Sequence, residues 1–145
     1  MNSEIPEGFT PFPSIGGFID LIGPCYFGGQ EDHTLRYGLV TGQQHCNTNG
    51  VVHGGALMTF ADTVMGSAVY QTVKGPCATI SMNSEFVAGA MPGVWVEATV
   101  VITKVTRSLA FVRSELVSGG DTVLTSSGVW KIFSKQSTSH PKPSF

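Results

Sequence analysis

Residues 53–73, His-Gly-Gly-Ala-Leu-Met-Thr-Phe-Ala-Asp-Thr-Val-Met-Gly-Ser-Ala-Val-Tyr-Gln-Thr-Val, read as one long helix with almost no charge. Beyond the opening His53, its only acidic or basic residue is Asp62. A helix apolar on nearly all sides must be wrapped by other elements rather than laid on a surface. A carboxylate within such a helix is costly to bury unless something specific satisfies it, so Asp62 asks for a chemical reason.

The flanking sequence supplies the wrapping. Cys25–Phe27 and Thr34–Val40 read as two strands around the turn Gly28-Gly29-Gln30-Glu31-Asp32, and Lys74-Gly75-Pro76 is a helix stop. Beyond it the texture changes to β-branched alternation. Ala78–Phe86, Trp95–Thr106, Leu109–Val117 and Val123–Phe133 read as four strands of an antiparallel meander, separated by Pro92-Gly93, Arg107-Ser108 and Gly119-Gly120-Asp121. Gly16–Gly23 fits either a short helical turn or a strand. The expected fold is α+β: a curved antiparallel sheet rolled around a central helix. Residues 1–15, broken by Pro6, Pro11 and Pro13, read as an extended lead-in, 16–134 as the domain, and 135–145 as a flexible tail. Neither end is expected to carry the fold.

Eight basic against ten acidic residues in 145 leave no electrostatic footprint for nucleic acid or an anionic membrane. The expected partners are small molecules and copies of the chain itself. Charged residues make up only 12% of the chain, which points to surface hidden in an oligomer. Cys25, Cys46 and Cys77 leave one thiol unpaired in any disulfide scheme and lack C-x-x-C spacing, which suits a reducing compartment. No secretory leader or membrane span is legible, so a cytoplasmic location is expected.

The chemistry begins at His53-Gly54-Gly55. Helix N-termini leave backbone N–H groups unpaired, and glycines let a carbonyl approach them, so this entrance suits an oxyanion. Tight helix-to-sheet packing explains the same glycines equally simply. Eight residues separate Gly54 from Asp62, about 12 Å along a helix, too far for one reacting carbonyl to touch both. Two helices packed antiparallel about a two-fold axis would bring Asp62 of one subunit beside Gly54 of the other. The alternative is an acid satisfied by Thr59, Ser67 or a backbone amide. Asn47 and Asn49 read either as turn residues or as groups that orient a water or carbonyl. His45, Cys46 and His53 fit no common zinc spacing, so no metal or organic cofactor is expected. Ser126-Ser127-Gly128 lies in a strand and lacks the G-x-S-x-G context of a nucleophile elbow. Lys104, Arg107 and Lys131 read either as phosphate contacts or as solvated strand ends.

Asn47-x-x-Gly50-x-x-His53-Gly54-Gly55, followed by Asp62 and Gly66, resembles the hotdog-fold acyl-CoA thioesterases of the phenylacetate-degradation and 4-hydroxybenzoyl-CoA type. The resemblance covers roughly residues 18–133 and includes Pro92-Gly93 before Trp95-Val96-Glu97. It implies a hotdog fold, dimeric at minimum and commonly a tetramer of two dimers. It implies Asp62 as nucleophile or general base, and Gly54 as donor to the thioester oxygen. Asn47 of the partner subunit would position the substrate or the water, Thr79 would help hold that water, and His53 would orient substrate beside Gly55. Leu57, Phe60, Ala61 and Met65 would line an acyl chamber for a medium-chain or aryl group. Many relatives carry Phe-x-Arg-Pro where this chain reads Phe86-Val87-Ala88-Gly89, which shifts carrier recognition toward Lys104 and Arg107. The competing readings are a hotdog dehydratase acting on 3-hydroxyacyl thioesters and a non-catalytic acyl-thioester binding module.

Overall fold

The computed structural model describes residues 4–134, so the tail expected at 135–145 lies outside the described residues. The elements are β1 (Thr10–Pro11), α1 (Phe18–Ile22), β2 (Cys25–Glu31), β3 (Thr34–Val40), a 3-10 turn (Gln43–His45), α2 (Gly54–Val73), β4 (Cys77–Phe86), β5 (Trp95–Val105), β6 (Leu109–Ser118) and β7 (Asp121–Ile132). His53 caps the start of α2, and Lys74 ends it in the left-handed conformation at φ 55°. The strands form one antiparallel sheet in the order β1-β2-β3-β5-β6-β7-β4.

That order corrects the expected four-strand meander. Of those four strands only β5, β6 and β7 follow one another in space, while β4 pairs with β7 at the far edge and β5 pairs with β3. The helix leaves the sheet beside β3 and delivers the chain to the opposite edge. Residues 87–94 then return it across three strand spacings, about 14 Å, well within the reach of eight residues. The Gly28-Gly29 pair, read as a turn, instead lies inside β2, where the register shifts between Phe27 and Gln30. The reversal falls at Asp32, with φ 52°.

α2 packs Leu57, Phe60, Ala61, Val64, Met65, Ala68 and Val69 against the concave face of the sheet. Each large apolar side chain so buried contributes roughly 1.5–3 kcal/mol. Tyr37, Val100, Val112, Leu116 and Trp130 meet them from the strands. The wrapping is incomplete. Gly55 and Tyr70 are exposed, and Thr59, Asp62, Thr63 and Gly66 are half-buried, so one stripe of the helix faces outward.

The lead-in also does more than its prolines foretell. Thr10 and Pro11 pair with Phe27 and Tyr26, Phe12 packs edge-on against Tyr37, and Phe9 stands edge-on to Trp95 at 5.0 Å. Trp95 in turn covers Gly38, where a Cβ would fall 1.8 Å from the ring. Residues 9–12 of the extended lead-in therefore lie against the sheet, held by the side chains of Phe9 and Phe12.

Candidate active site

At the helix entrance, the first-turn amides are almost all spoken for. The Gly55 N–H donates to His53 Nδ1 at 2.8 Å, and Ala56 and Leu57 donate to the His53 carbonyl at 2.9 and 3.2 Å. Only the Gly54 N–H has no partner among the described residues. His53 is thus the cap that organises the turn, and its Nδ1 is committed as an acceptor. A Cβ on Gly54 would fall 2.8 Å from Phe86 Cε1, so the glycine admits the Phe86 ring beside the entrance. Val52, Gly54, Leu57, Phe86 and Ala88–Ala90 line a groove of 440 Å³ there. A second groove of 410 Å³ runs past Phe18, Ile22, Cys46, His53, Ala56 and Thr59.

Asp62 lies two turns along, half-buried on the open stripe rather than enclosed as the sequence led us to expect. The stripe is open because the sheet covers only the other side of α2. The acid accepts a hydrogen bond from Thr79 Oγ1 on β4 at 2.6 Å. Thr59, Thr63 and Ser67 do not satisfy it. Thr59 and Thr63 donate to the carbonyls of Gly55 and Thr59, and Ser67 accepts from Gln71. Thr79 therefore fixes one carboxylate oxygen and leaves the other without a partner among the described residues. Nearby, the Cys77 thiol donates to the Gly66 carbonyl at 3.5 Å. Burial pushes this thiol up, a backbone contact at Tyr70 offsets part of the effect, and the Asp62 charge adds to it.

Asn47 is a turn residue first. Its Oδ1 accepts from the Asn49 and Val51 amides at 2.9 and 3.4 Å, which leaves its amide NH₂ as the group free to donate. His45 is structural: it is 3% exposed, Nε2 meets the Ile22 carbonyl at 2.6 Å, and Nδ1 accepts from the Gly42 N–H at 2.8 Å. Both ring nitrogens are used, so it offers no lone pair to a metal. Of the expected chamber residues, only Leu57 reaches a groove. Phe60, Ala61 and Met65 are fully buried between helix and sheet and line neither groove. Their helical positions face the sheet, away from the stripe that carries Asp62. Lys104 and Arg107 are exposed at the β5–β6 end and line neither groove. Phe86 was not foreseen as a site residue, although it closes a strand two residues from the Ala88–Ala90 wall.

One helix clasped by a curved antiparallel sheet, with a tethered acid and an unpaired entrance amide along its length, is the hotdog arrangement of enzymes that act on thioesters. The thioesterase superfamily profile matches residues 49–125, and the chain belongs to that superfamily as a thioester hydrolase. It is 32% identical over 131 residues to the Pseudomonas aeruginosa protein named "Putative esterase PA0474", covering 89% of this chain and 98% of that one. It is also 31% identical over 77 residues to mouse acyl-coenzyme A thioesterase 13, spanning 52% of this chain and 55% of that protein. Among solved structures, zebra fish thioesterase superfamily member 2 shares the fold, with a TM-score of 0.74, 21% identity, and coverage of 81% of this chain and 87% of that one. No helix among the described residues is long and apolar enough to cross a membrane.

Proposed function

We propose that the protein hydrolyses an acyl-CoA to the free acid and CoA at a site shared by two subunits. The observation that carries this reading is that one helix holds both an unpaired entrance amide, Gly54, and a tethered acid, Asp62, about 12 Å apart. Two antiparallel copies of α2 would bring Asp62 of one subunit to Gly54 of the other, making two equivalent sites per dimer. The free edge of β4, with Ile80 and Phe86 57% and 55% exposed, suits such a contact. The assembly is a homodimer or a homotetramer of two dimers. Three free cysteines are consistent with a reducing, cytoplasmic setting.

In the general-base form, Asp62 takes a proton from water as the water oxygen adds to the thioester carbon. The Gly54 N–H holds the resulting oxyanion. Collapse breaks the C–S bond, and the departing thiolate recovers the proton from Asp62. In the nucleophilic form, the carboxylate itself adds, the thiolate leaves, and water cleaves the mixed anhydride. Thr79 restricts the carboxylate in either case. The partner's Asn47 orients the water or the carbonyl through its free NH₂, while His53 and Gly55 shape the entrance. The apolar grooves beside Leu57 and Phe18 suit a medium-chain or aryl acyl group. Lys104 and Arg107, at the same end of the sheet as Thr79, are the cations for the carrier phosphates.

Hydrolysis is favoured over a dehydratase by the thioesterase superfamily match and the acyl-coenzyme A thioesterase relative. The test is free-thiol release from short, medium, long and aryl acyl-CoA substrates, with Asp62→Asn alongside. Turnover should fall at least about a hundredfold in the variant with the fold intact. Unchanged turnover would sink the assignment.

A further inference from the structure

Two apolar features near the candidate site lack cover. Ile15, Phe18 and Leu21 are the three most exposed large apolar side chains among the described residues, and Phe18 and Leu21 stand three positions apart on one face of α1. The one acid of that segment is engaged elsewhere: Asp20 accepts from Ser14 Oγ at 2.9 Å and from the Gly16 N–H at 2.6 Å. Phe18 also walls the 410 Å³ groove that runs past His53 to Thr59. The second feature is Tyr70, 57% exposed on the open stripe of α2. Its ring meets no other aromatic, and its hydroxyl has no hydrogen-bond partner, among the described residues. Within one chain the two features are far apart. Sixteen residues, about 24 Å of helix, separate Tyr70 from the Gly54 entrance beside which Phe18 lies.

We infer that Tyr70 of the partner subunit seats on Phe18 and forms the far end of the acyl groove, so that the second copy limits the length of the acyl group. The inference rests on the reading that pairs two α2 helices antiparallel through Asp62 and Gly54. Tyr70 lies eight residues beyond Asp62, so the pairing that sets Asp62 level with Gly54 carries Tyr70 about 12 Å past the start of the opposing helix. The end of α1 is pinned there: the Ile22 carbonyl meets His45 Nε2 at 2.6 Å, and Phe18, Ile22 and Cys46 share the groove. A helical side chain leans toward the N-terminus of its own helix, which turns the Tyr70 ring back over that groove. The chemistry matches as well, because an uncharged ring meets an uncharged apolar patch and both leave water. An acyl chain that starts at Gly54 and advances about 1.3 Å per bond reaches the ring at roughly its sixth to ninth carbon.

The test compares thiol release from dodecanoyl-CoA and hexanoyl-CoA. Tyr70→Ala, at an exposed helix position that alanine suits, should raise the dodecanoyl-to-hexanoyl ratio of kcat/KM by at least about tenfold, since each further methylene that finds cover is worth about fourfold. Tyr70→Phe keeps the ring and should keep the wild-type ratio. The contact itself is read without turnover, in a Cys46→Ser/Cys77→Ser background where buried Cys25 is the one remaining native thiol. There Phe18→Cys/Tyr70→Cys treated with a short bismaleimide should give a covalent dimer on a denaturing gel, while Phe18→Cys and Tyr70→Cys alone should not. The spacer is needed because two residues whose rings touch hold their Cα atoms too far apart for a disulfide. An unchanged ratio in Tyr70→Ala, or no covalent dimer beyond that of the single variants, overturns the inference. Thiol release that depends on Asp62 but comes without these two results counts against Tyr70 alone. Absence of thiol from every substrate counts against hydrolysis, and the cross-link then decides the contact by itself.

Discussion

Thr79 Oγ1 lies 2.6 Å from Asp62 Oδ1, joining the strand at the free edge of the sheet to the middle of the central helix. The hydroxyl donates and the carboxylate accepts, so one acid oxygen is fixed while the other faces the open stripe. Hydrogen bonds to a charged group are worth about 1.5–3 kcal/mol. Thr79→Val is therefore expected to lower kcat by about tenfold to a hundredfold, with little change in KM. Thr79 is exposed, so the thermal transition should move by no more than a few degrees. Steady-state kinetics with thermal melting checks this, and an unaltered kcat would show that the acid needs no tether.

Gly54 and Phe86 are matched in space. In Gly54→Ala the new methyl would press on the end of the Phe86 ring, an exposed side chain that can swing aside. The expected result is a folded protein whose kcat/KM falls by about tenfold as the groove is misshapen. Truncation of the ring in Gly54→Ala/Phe86→Ala should recover part of the loss, which a double-mutant cycle measures.

The free edge of β4 gives an assembly test. Ile80→Asp places a charge at an exposed apolar position on that edge. If the edge joins two subunits, light scattering will report a smaller species, and thiol release will fall by at least about a hundredfold because each site draws on both copies. Retained assembly with full activity would place the subunit contact elsewhere.

His45 holds the end of α1 to the loop that precedes α2. His45→Ala would leave the Ile22 carbonyl and the Gly42 amide without their side-chain partner. A loss of about 2–4 kcal/mol in urea unfolding is expected, since each buried group left unpaired costs about 1–3 kcal/mol. The catalytic residues keep their own contacts, so kcat measured well below the melting temperature should change far less than stability.

Alkaline pH should unfold the protein through its buried acids. Burial raises Cys25 from 9.0 to about 12, and raises Tyr37 from 10.0 to about 12 despite an opposing hydrogen bond at Ser67. In the unfolded chain these groups lose their protons first, so stability is complete below about pH 9 and declines as pH rises toward 12. Melting temperatures should be flat near neutrality and fall across that window. Cys25→Ala should flatten the first part of the decline.

Much of this was legible because it is written locally. The charge-poor run with its His-Gly-Gly opening and Lys-Gly-Pro end defines α2, and β-branched alternation defines the later strands to within two residues. What depended on distant partners was not legible. The placement of β4 beside β7 follows from where a helix sets the chain down, and Phe9 and Phe12 declare their packing only once Trp95 and Tyr37 stand opposite. The Gly28-Gly29 pair misled because glycines serve bulges as readily as turns. At the site, Asp62 and Gly54 stand out by residue type and spacing. Apolar character alone does not distinguish the side of a helix that meets a sheet, where Phe60 and Met65 lie, from the side that meets a ligand.

The Trp95 ring over Gly38 carries a consequence for ancestry. With 1.8 Å between the ring and a Cβ at position 38, even alanine there requires the indole to move. Across descendants of this lineage, a side chain at 38 and a tryptophan at 95 should be mutually exclusive, which makes the pair a historical marker for branches that have discarded the aromatic cover of the outer face.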